Sequence, residues 1–247
     1  MYHVVIPARY ASTRLPAKAL AEINGKPMVY WVWRLAMQSK ALSVTVATDD
    51  ERIRTALSPH GVDVAMTDPD HPSGTDRLAE VARAKAWAAD TVVVNLQGDE
   101  PLMPVVNLDQ VANLLLAHPN ASISTLCESI SSYATFVDPS VVKVVSDSSG
   151  RAQYFSRAAI PFERDGDGTS VPNEARRHIG LYAYRVGFLQ KFSSGSVAPY
   201  ERLESLEQLR SLHSGDEIRI ADAQKTVPAG VDTEADLETV RAIMAGQ

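Results

Sequence analysis

The chain has little cysteine and lacks any hydrophobic run long enough to cross a membrane. Cys127 is the only cysteine in 247 residues, which excludes an intrachain disulfide and a cysteine-based zinc cluster. Apolar runs stay well below the roughly 18 residues that a membrane-spanning helix needs, and the first residues do not show the basic and apolar regions of a secretory signal. We therefore expect a cytoplasmic protein without membrane insertion.

An excess of positive charge is also missing. The formal net charge is -6 at pH 7, whereas non-specific nucleic-acid binding needs a basic face that replaces phosphate counterions. We expect no nucleic-acid partner. Apolar residues make up 45% of the chain, which is enough for one sizeable core, and no repeat or long linker divides it. The sequence thus predicts a single domain over residues 1–247.

Short strand-like runs alternate with amphipathic helical patterns in the first half of the chain. The strand-like runs cover residues 3–7, 43–48, 62–66 and 91–97. The helical patterns cover residues 27–39, 49–60 and 75–87. This alternation predicts an α/β fold, with a mostly parallel sheet and helices on both faces.

The second half has a different rhythm. Strand-like runs follow one another at residues 121–127, 141–147, 152–157 and 178–185. They predict a smaller mixed or antiparallel extension within roughly residues 121–200. A helix is predicted over residues 200–215, where leucine recurs at every third position, and a last strand at 217–223 precedes a helix that starts at Thr233.

Three cations follow the first strand in a single loop. Arg9, Arg14 and Lys18 lie where an open α/β sheet collects its ligands, at the carboxyl end of a strand. The chain lacks both G-x-x-x-x-G-K-[ST] and G-x-G-x-x-G, so glycine-loop amides cannot form the whole anion site. Arginine guanidinium groups bind phosphate oxygens with two hydrogen bonds, and lysine adds a compact positive charge, so together they suit a triphosphate. A solvated surface loop is the alternative interpretation.

Carboxylates follow a later strand of the same sheet. Asp99 and Glu100 stand in "NLQGDEP", at the end of the run 91–97, where Gly98 permits a turn. Mg²⁺ favours one or two carboxylates together with phosphate oxygens and water. These residues therefore indicate a cation–nucleotide site, unless they form only a polar turn.

Two helix starts offer further candidates. Asp232 precedes the last helix, where Asp232 or Thr233 could cap the helix with Asp236. Ser73 and Gly74 precede another helix, whose N-terminal amides could hold an anion or serve only as a capped end. Capping and ligand binding are compatible at both places.

The remaining candidates have ordinary structural interpretations. His178 beside a strand is typical of a histidine satisfied within the core, and Tyr182 has an ordinary role in packing. Glu207 and Gln208 would by default form a solvated helix face. Arg157, in "YFSRAAIP", is a further candidate for the site.

Several motifs together resemble one enzyme family over nearly the whole chain. They are "IPARYASTRLPAKAL", "SGTDRLAEV", "NLQGDEP", "YFSRAAIP", "RRHIGLYAYR", "ESLEQLR" and "GVDTEADLETVR". In this order they resemble the 3-deoxy-manno-octulosonate (Kdo) cytidylyltransferases, which make CMP-Kdo for lipopolysaccharide. The resemblance implies a nucleotide-diphospho-sugar transferase type of Rossmann-like fold, CTP and Kdo as substrates, Mg²⁺ as cofactor and a homodimer built through the strands of residues 121–200.

The resemblance also implies roles for individual residues. The CTP phosphates would contact Arg9, Arg14 and Lys18, and the nucleotide would contact Ala8, Ser73 and Gly74. Asp99 and Asp232 would bind Mg²⁺. The sugar-acid pocket would be lined by Gln97, Arg157, His178, Tyr182, Glu207 and Gln208, with Arg157 as a partner for the substrate carboxylate.

The chain departs from the family pattern R-L-P-G-K-P-L. Here "RLPAKAL" places Ala17 at the glycine position and Ala19 at the second proline position. If that glycine has a positive φ, alanine costs about 1 kcal/mol or shifts the loop. The position of Lys18 is therefore the part of the loop most affected.

Other functions remain alternatives. The substrate could be another sugar acid, such as 8-amino-Kdo or a nonulosonate, since the nucleotide half would be shared. A non-catalytic nucleotide-sugar sensor would be expected to lose the carboxylate at 99 or 232, and both are present. A glycosyltransferase is a third alternative, but its usual D-x-D motif is absent from the corresponding strand end, where "QGDEP" stands.

Overall fold

The computed structural model describes residues 1–11, 15–71, 73–166 and 168–246. The strands are β1 (Tyr2–Pro7), β2 (Glu22–Ile23), β3 (Lys26–Pro27), β4 (Val44–Thr48), β5 (Asp63–Met66), β6 (Val92–Asn95), β7 (Ile123–Ser129), β8 (Lys143–Ser146), β9 (Ala152–Ser156), β10 (Arg176–Arg185) and β11 (Ile218–Asp222). The helices are α1 (Met28–Ala36), α2 (Glu51–Leu57), α3 (Gly74–Ala84), α4 (Val105–Leu116), α5 (Tyr133–Val137), α6 (Val186–Ser193), α7 (Pro199–Glu204), α8 (Gln208–His213) and α9 (Glu234–Ala245). None of these helices in the described ranges is long and apolar enough to cross a membrane.

One large sheet runs through the molecule in the order β11-β7-β10-β6-β1-β4-β5. Strands β6, β1, β4 and β5 are parallel, as are β11 and β7, whereas β10 is antiparallel to both of its neighbours. The predicted mostly parallel α/β sheet is thus confirmed. Of the strands expected as an extension, β7 and β10 lie inside this sheet, and the β8–β9 hairpin extends from β10.

The central strands are buried on both faces. Val4, Val5 and Ile6 of β1 are all fully buried, and successive residues of a strand point to opposite sides. Helices α1 and α4 cover one face, while α3 and α6 cover the other. The helices predicted on both faces are therefore present, although α4 and α6 lie in segments where no element was predicted.

The single helix predicted over residues 200–215 is wrong. The structure has two short helices, α7 and α8, separated at Ser205, which has a left-handed φ of 52°. Leucines at every third position drift around a helix of 3.6 residues per turn, so one straight helix cannot bury them all. The break buries Leu206 and Leu209, while Leu203 remains 82% exposed.

The strand order reverses beside β1. The chain proceeds from β1 to β4 and β5 on one side and then returns to place β6 on the other side. Ligands of open α/β sheets bind in the crevice at such a reversal, at the carboxyl ends of the strands. The loops after β1 and β6 approach so closely that a Cβ atom on Gly98 would lie 2.9 Å from the Pro7 carbonyl oxygen. Glycine at 98 therefore permits the contact between these loops.

Candidate active site

A cleft of about 670 Å³ opens at this reversal point. It is lined by loops after β1 and β6, the N-terminus of α3, strand β10 and the break between α7 and α8. The residues from the sequence analysis that line it are Ala8, Arg9, Lys18, Gly74, Gln97, Asp99, His178, Tyr182, Glu207 and Gln208. The structure thus brings most of the described candidates into one cavity.

Lys18 joins the basic loop to two carboxylates. Its Nζ donates to Asp99 Oδ2 at 2.5 Å and to Asp232 Oδ1 at 3.1 Å. The loops that carry the carboxylates are also tied together, because Val231 N donates to Asp99 O at 2.9 Å. Burial alone would lower the pKa of Lys18, but Asp99 and Asp232 raise it above its ordinary value, so Lys18 is an ammonium.

The two aspartates suit a hard cation. Their oxygens converge on one positive centre, the Lys18 ammonium, and Mg²⁺ binds one or two carboxylates with phosphate oxygens and water. The described residues contain no group of three or more His, Cys, Asp or Glu placed to hold a metal, so a site of this kind would need oxygens from a substrate. Burial and repulsion by Asp99 raise the pKa of Glu100 to about 8, so Glu100 is largely uncharged at neutral pH. The donor set thus fits Mg²⁺.

Arg9 lines the cleft from the same loop as Lys18. It follows Ala8, which is 3% exposed and whose backbone N donates to Ala47 O at 2.9 Å. Arg9 itself is exposed to solvent, so its guanidinium can reach an incoming anion. Arg14 lies outside the described residues.

The backbone at Ala17 has the left-handed conformation expected from the departure in the family pattern, with φ 55° and ψ 29°. We predict that Ala17→Gly raises the free energy of unfolding by about 0.5–1 kcal/mol, because relief of the Cβ strain exceeds the entropy that glycine adds to the unfolded chain. Urea denaturation measures this. Ala86 also has a left-handed φ, 52°, in a loop away from the cleft. Ala86→Gly is therefore the matched comparison and should raise the free energy of unfolding by a similar amount. A loss of stability on Ala17→Gly would contradict the assignment of strain.

Both candidate helix starts are capped by side chains. Ser73 Oγ accepts from Asp76 N at 3.3 Å and donates to Asp76 Oδ2 at 2.8 Å, so Ser73 caps α3. Thr233 forms a capping box with Asp236 at the start of α9. The cap of α9 is therefore Thr233, while the Asp232 carboxylate reaches Lys18.

A row of aromatic rings reaches one wall of the cleft, where His178, Tyr182 and Tyr184 line the cavity. The register of β10 shifts between Ile179 and Tyr182, and the rings of the row belong to β9, β10 and α6. The ring centroids are 5.0 to 5.9 Å apart along this row. The members in order are Phe155, His178, Tyr182, Tyr184 and Phe188.

His178 is a neutral imidazole that is hydrogen-bonded to Thr125. Thr125 Oγ1 lies 2.9 Å from His178 Nε2, and it also lies 3.0 and 2.9 Å from the backbone oxygens of Ile179 and Leu181. The single hydroxyl hydrogen can go to one of these oxygens or to Nε2, so this hydrogen bond forms with either tautomer of the ring. Burial lowers the pKa of His178 to about 3. The ring is thus an uncharged hydrogen-bonding group and does not serve as a cation.

This burial predicts a pH dependence of stability. The unfolded chain protonates His178 near pH 6.5 and the folded chain near pH 3, so the contribution is complete above pH 6.5 and is lost as the pH falls toward 3. We expect His178→Gln to reduce the slope of the free energy of unfolding against pH by about 1.4 kcal/mol per unit in that window. Denaturation at pH 7, 6 and 5 measures it, with the exposed His213→Gln as control. An unchanged slope would show that His178 ionises in the folded protein.

The structure does not bring Arg157 to the cleft. Its Nε donates to Glu204 O at 2.6 Å and its Nη1 to Pro139 O at 3.0 Å. Its backbone N donates to the Glu204 carboxylate at 2.9 Å. Because these bonds engage the guanidinium with the end of α7, Arg157 is not among the described residues that line the cavity, and a direct contact with the substrate carboxylate is not supported.

Asn95 and Ser211 also line the cleft and were not predicted. Asn95 is a polar residue that ends the apolar strand "VVVN", and Ser211 lies three positions after Gln208, on the same face of α8. Both signals are visible in the sequence. Polar strand ends and residues spaced by three on a helix are common in proteins, so these two signals by themselves do not identify site residues.

A mostly parallel sheet with cations and paired carboxylates at its reversal point defines a nucleotidyltransferase-type α/β enzyme. Residues 3–218 match the family model described as cytidylyltransferase. Among curated relatives, 3-deoxy-manno-octulosonate cytidylyltransferases of Psychrobacter arcticus and Cellvibrio japonicus are 53% and 51% identical, over 98% of this chain and 93% and 98% of theirs. The chain belongs to the 3-deoxy-manno-octulosonate cytidylyltransferase family.

Solved structures are similar over the whole chain. A structure of CMP:2-keto-3-deoxy-manno-octonic acid synthetase complexed with CTP is 42% identical with a TM-score of 0.91, covering 100% of this chain and 99% of that one. A cytidylyltransferase from Leptospira borgpetersenii is 18% identical with a TM-score of 0.66, covering 100% of this chain and 87% of that one, which shows a shared fold.

Proposed function

We propose that this enzyme transfers the cytidylyl group of CTP to Kdo, with CMP-Kdo and pyrophosphate as products, for lipopolysaccharide assembly. The observation that carries the proposal is the contact of Lys18, which lines the cleft beside Asp99, with both Asp99 and Asp232, in a chain of this family. The fold positions these side chains, because the two loops that carry the carboxylates meet the basic loop where the strand order reverses. A single surface loop could not bring these three residues together.

In the reaction, the anomeric C2 hydroxyl of Kdo attacks the α-phosphorus of CTP. A bond forms between that oxygen and phosphorus, the bond from phosphorus to the pyrophosphate oxygen breaks, and the hydroxyl proton passes to solvent. Both reactants are anions, so the barrier lies mainly in alignment and charge repulsion. Arg9 and Lys18 reduce this barrier by stabilising the negative charge that develops on the departing pyrophosphate.

Asp99 and Asp232 would hold Mg²⁺. When bound, Mg²⁺ neutralises phosphate charge and lowers the pKa of a nearby hydroxyl. Lys18 contacts both carboxylates in the structure described here, so binding of the metal nucleotide would transfer its ammonium from these carboxylates to the phosphates. Before CTP binds, the Lys18 ammonium would offset the repulsion between the two carboxylates.

The sugar acid would lie against the aromatic wall. Gln97, His178 and Tyr182 line this part of the cleft together with Glu207 and Gln208. Thr75 Oγ1 donates to Glu207 Oε2 at 3.1 Å, which orients the carboxylate. Burial raises the pKa of Glu207. Ala8 and Gly74, with Ser73 as the cap of α3, would contact the nucleotide.

Pyrophosphate release tests the proposal. The enzyme is given CTP and Mg²⁺ with Kdo, 8-amino-Kdo or N-acetylneuraminate in separate reactions. We expect release with Kdo at a higher kcat/KM than with the other acids. A preference for either of the others would reassign the sugar acid, and no release with any of them would overturn the enzymatic function.

The homodimer implied by the resemblance remains part of the proposal, as does a cytoplasmic location. Sedimentation equilibrium of the purified enzyme tests the dimer, with a mass of twice 26.8 kDa expected. Fractionation of cells that express the protein tests the location. A monomer at all concentrations would remove the dimer from the account without affecting the proposed reaction.

A further inference from the structure

A long irregular segment leads from the last strand to Asp232. Residues 224–232 form neither helix nor strand between β11 and α9, so neither a sheet ladder nor helical bonds hold their backbone. Backbone N–H and C=O groups that are shielded from water nevertheless need hydrogen-bond partners. The partners of this segment therefore determine where its end lies, and its end carries one of the two carboxylates that contact Lys18.

Side chains of neighbouring elements take the place of a ladder. Asn107 of α4 binds both polar backbone atoms of Lys225, since its Nδ2 donates to Lys225 O at 2.7 Å and its Oδ1 accepts from Lys225 N at 3.1 Å. Two positions later, Glu128 Oε1 accepts from Val227 N at 2.6 Å, and Arg177 Nη2 donates to Val227 O at 2.7 Å. The segment is thus bound like a short strand whose partners are side chains.

Arg177 and Glu128 also form an ion pair across two strands. They stand directly opposite each other on β10 and β7, where cross-strand side chains interact. Arg177 Nε and Nη2 donate to Glu128 Oε2 at 3.0 and 2.7 Å, and the two side chains are 30% and 15% exposed. Because one carboxylate oxygen binds the guanidinium and the other accepts from Val227 N, the pair fixes the segment at this position.

The fixed position lies close to the carboxylate at the end of the segment. Val227 is 5% exposed and packs in the sheet core. Val231 is fully buried, and its N donates to Asp99 O at 2.9 Å. Three residues separate these two valines, and the first is Pro228, whose ring fixes its φ. Because the connection is short, a shift of Val227 also moves Asp232, the residue after Val231.

We propose that Arg177 and Glu128 are positioning residues for Asp232. By binding both polar backbone atoms of Val227, they keep the Asp232 carboxylate beside Asp99. The inference rests on the proposed function, in which Asp99 and Asp232 hold Mg²⁺. Neither Arg177 nor Glu128 is among the described residues that line the cleft, so they act through the backbone and without contact with a substrate.

The dependence of the rate on Mg²⁺ concentration tests this role. Arg177→Met removes the bonds to Glu128 and to Val227 O and keeps much of the side-chain volume. We expect the Mg²⁺ concentration for half-maximal pyrophosphate release to rise about tenfold, as is typical when residues that orient metal ligands are replaced. Saturating Mg²⁺ should restore kcat and the KM for CTP to within about twofold of wild type. A general folding defect would instead lower kcat at every Mg²⁺ concentration.

Hydrogen exchange in the metal-free protein gives a second measurement. The amides of residues 224–232 should exchange faster in Arg177→Met, because Val227 O loses its partner. The double variant Arg177→Met with Glu128→Leu also removes the carboxylate charge that the single variant leaves unpaired. It should therefore recover part of the lost stability, while it keeps both the faster exchange and the raised Mg²⁺ requirement.

Arg219→Met is the matched control. Arg219 Nε lies 2.6 Å from Glu217 Oε1, the two side chains are 17% and 22% exposed, and Arg219 Nη1 donates to Ser149 O at 2.7 Å. Arg219 thus joins a carboxylate to a loop carbonyl, as Arg177 does, but it is not among the described residues that line the cleft. We expect lower stability with the Mg²⁺ dependence of wild type.

An unchanged Mg²⁺ dependence of both Arg177 variants, or unchanged exchange over residues 224–232, would overturn the positioning role, while wild-type turnover left the proposed function intact. An equal shift in Arg219→Met would also overturn it, since this would indicate a general loss of stability. If wild type released no pyrophosphate with any sugar acid, the proposed function would fail and the positioning role with it.

Discussion

Asp99→Asn should lower kcat by about 10³-fold or more at saturating CTP. The substitution keeps the shape of the side chain and removes the charge that would hold Mg²⁺ and that pairs with Lys18. Metal-ion stabilisation of a transition state contributes several kcal/mol, and each 1.36 kcal/mol is about tenfold in rate. Pyrophosphate release under saturating CTP, Kdo and Mg²⁺ measures the effect.

Asp90→Asn is the control for this substitution, because Asp90 is exposed and lies on the loop before β6, away from the cleft. It should leave kcat unchanged. Mn²⁺ binding followed by electron paramagnetic resonance separates the metal role from a folding defect, with weaker binding expected only in Asp99→Asn. Near-normal turnover of Asp99→Asn would show that Asp99 does not support the metal.

Arg210→Met should lower the free energy of unfolding by about 3 kcal/mol. Glu201 is 6% exposed, and its carboxylate accepts from Arg210 Nε at 2.8 Å, from Arg210 Nη2 and from Ala198 N at 2.9 Å. Removing one partner of a buried ion pair leaves an uncompensated charge, which costs about 3–5 kcal/mol. Urea denaturation measures the loss, which corresponds to a melting temperature about 6–12 °C lower.

Two variants sharpen this second prediction. Arg202→Met lies on the exposed side of α7 and should change stability by less than about 0.5 kcal/mol. The double variant Arg210→Met with Glu201→Leu should recover part of the loss, because it removes the buried charge. A double variant as unstable as the sum of its parts would assign the effect to packing. The ion pair joins α7 to α8, so the KM for Kdo should rise with the loss of stability.

The sheet core could be predicted because apolar runs and helical spacing are local properties. The runs at 3–7 and 43–48 became β1 and β4, and their buried valines explain the parallel pairing. The place of β10 could not be predicted in this way. Its antiparallel pairing with both β6 and β7 joins segments distant in the sequence, and strand propensity carries no information about the partner.

The site shows the same division. Local motifs indicated Lys18 and Asp99, but the contact between Lys18 and Asp232 spans 214 positions of the chain and depends on α9 returning to the loop after β6. The role of Arg157 stays a prediction, because its motif gives the residue type without the direction of its side chain, which in this structure is bonded to Glu204 and Pro139. Asn95 is recognised as a buried residue of the cleft only in the structure, because an asparagine at the end of a strand is common in the sequence.

Identification of the products by ³¹P nuclear magnetic resonance tests the central claim most directly. The enzyme is mixed with CTP, Kdo and Mg²⁺, and spectra follow the reaction. The account predicts equimolar pyrophosphate and a new phosphodiester signal of CMP-Kdo, both dependent on Kdo, and neither formed by Asp99→Asn at a comparable rate. Formation of CDP and inorganic phosphate, or of CMP and pyrophosphate without the sugar ester, would contradict cytidylyl transfer to Kdo.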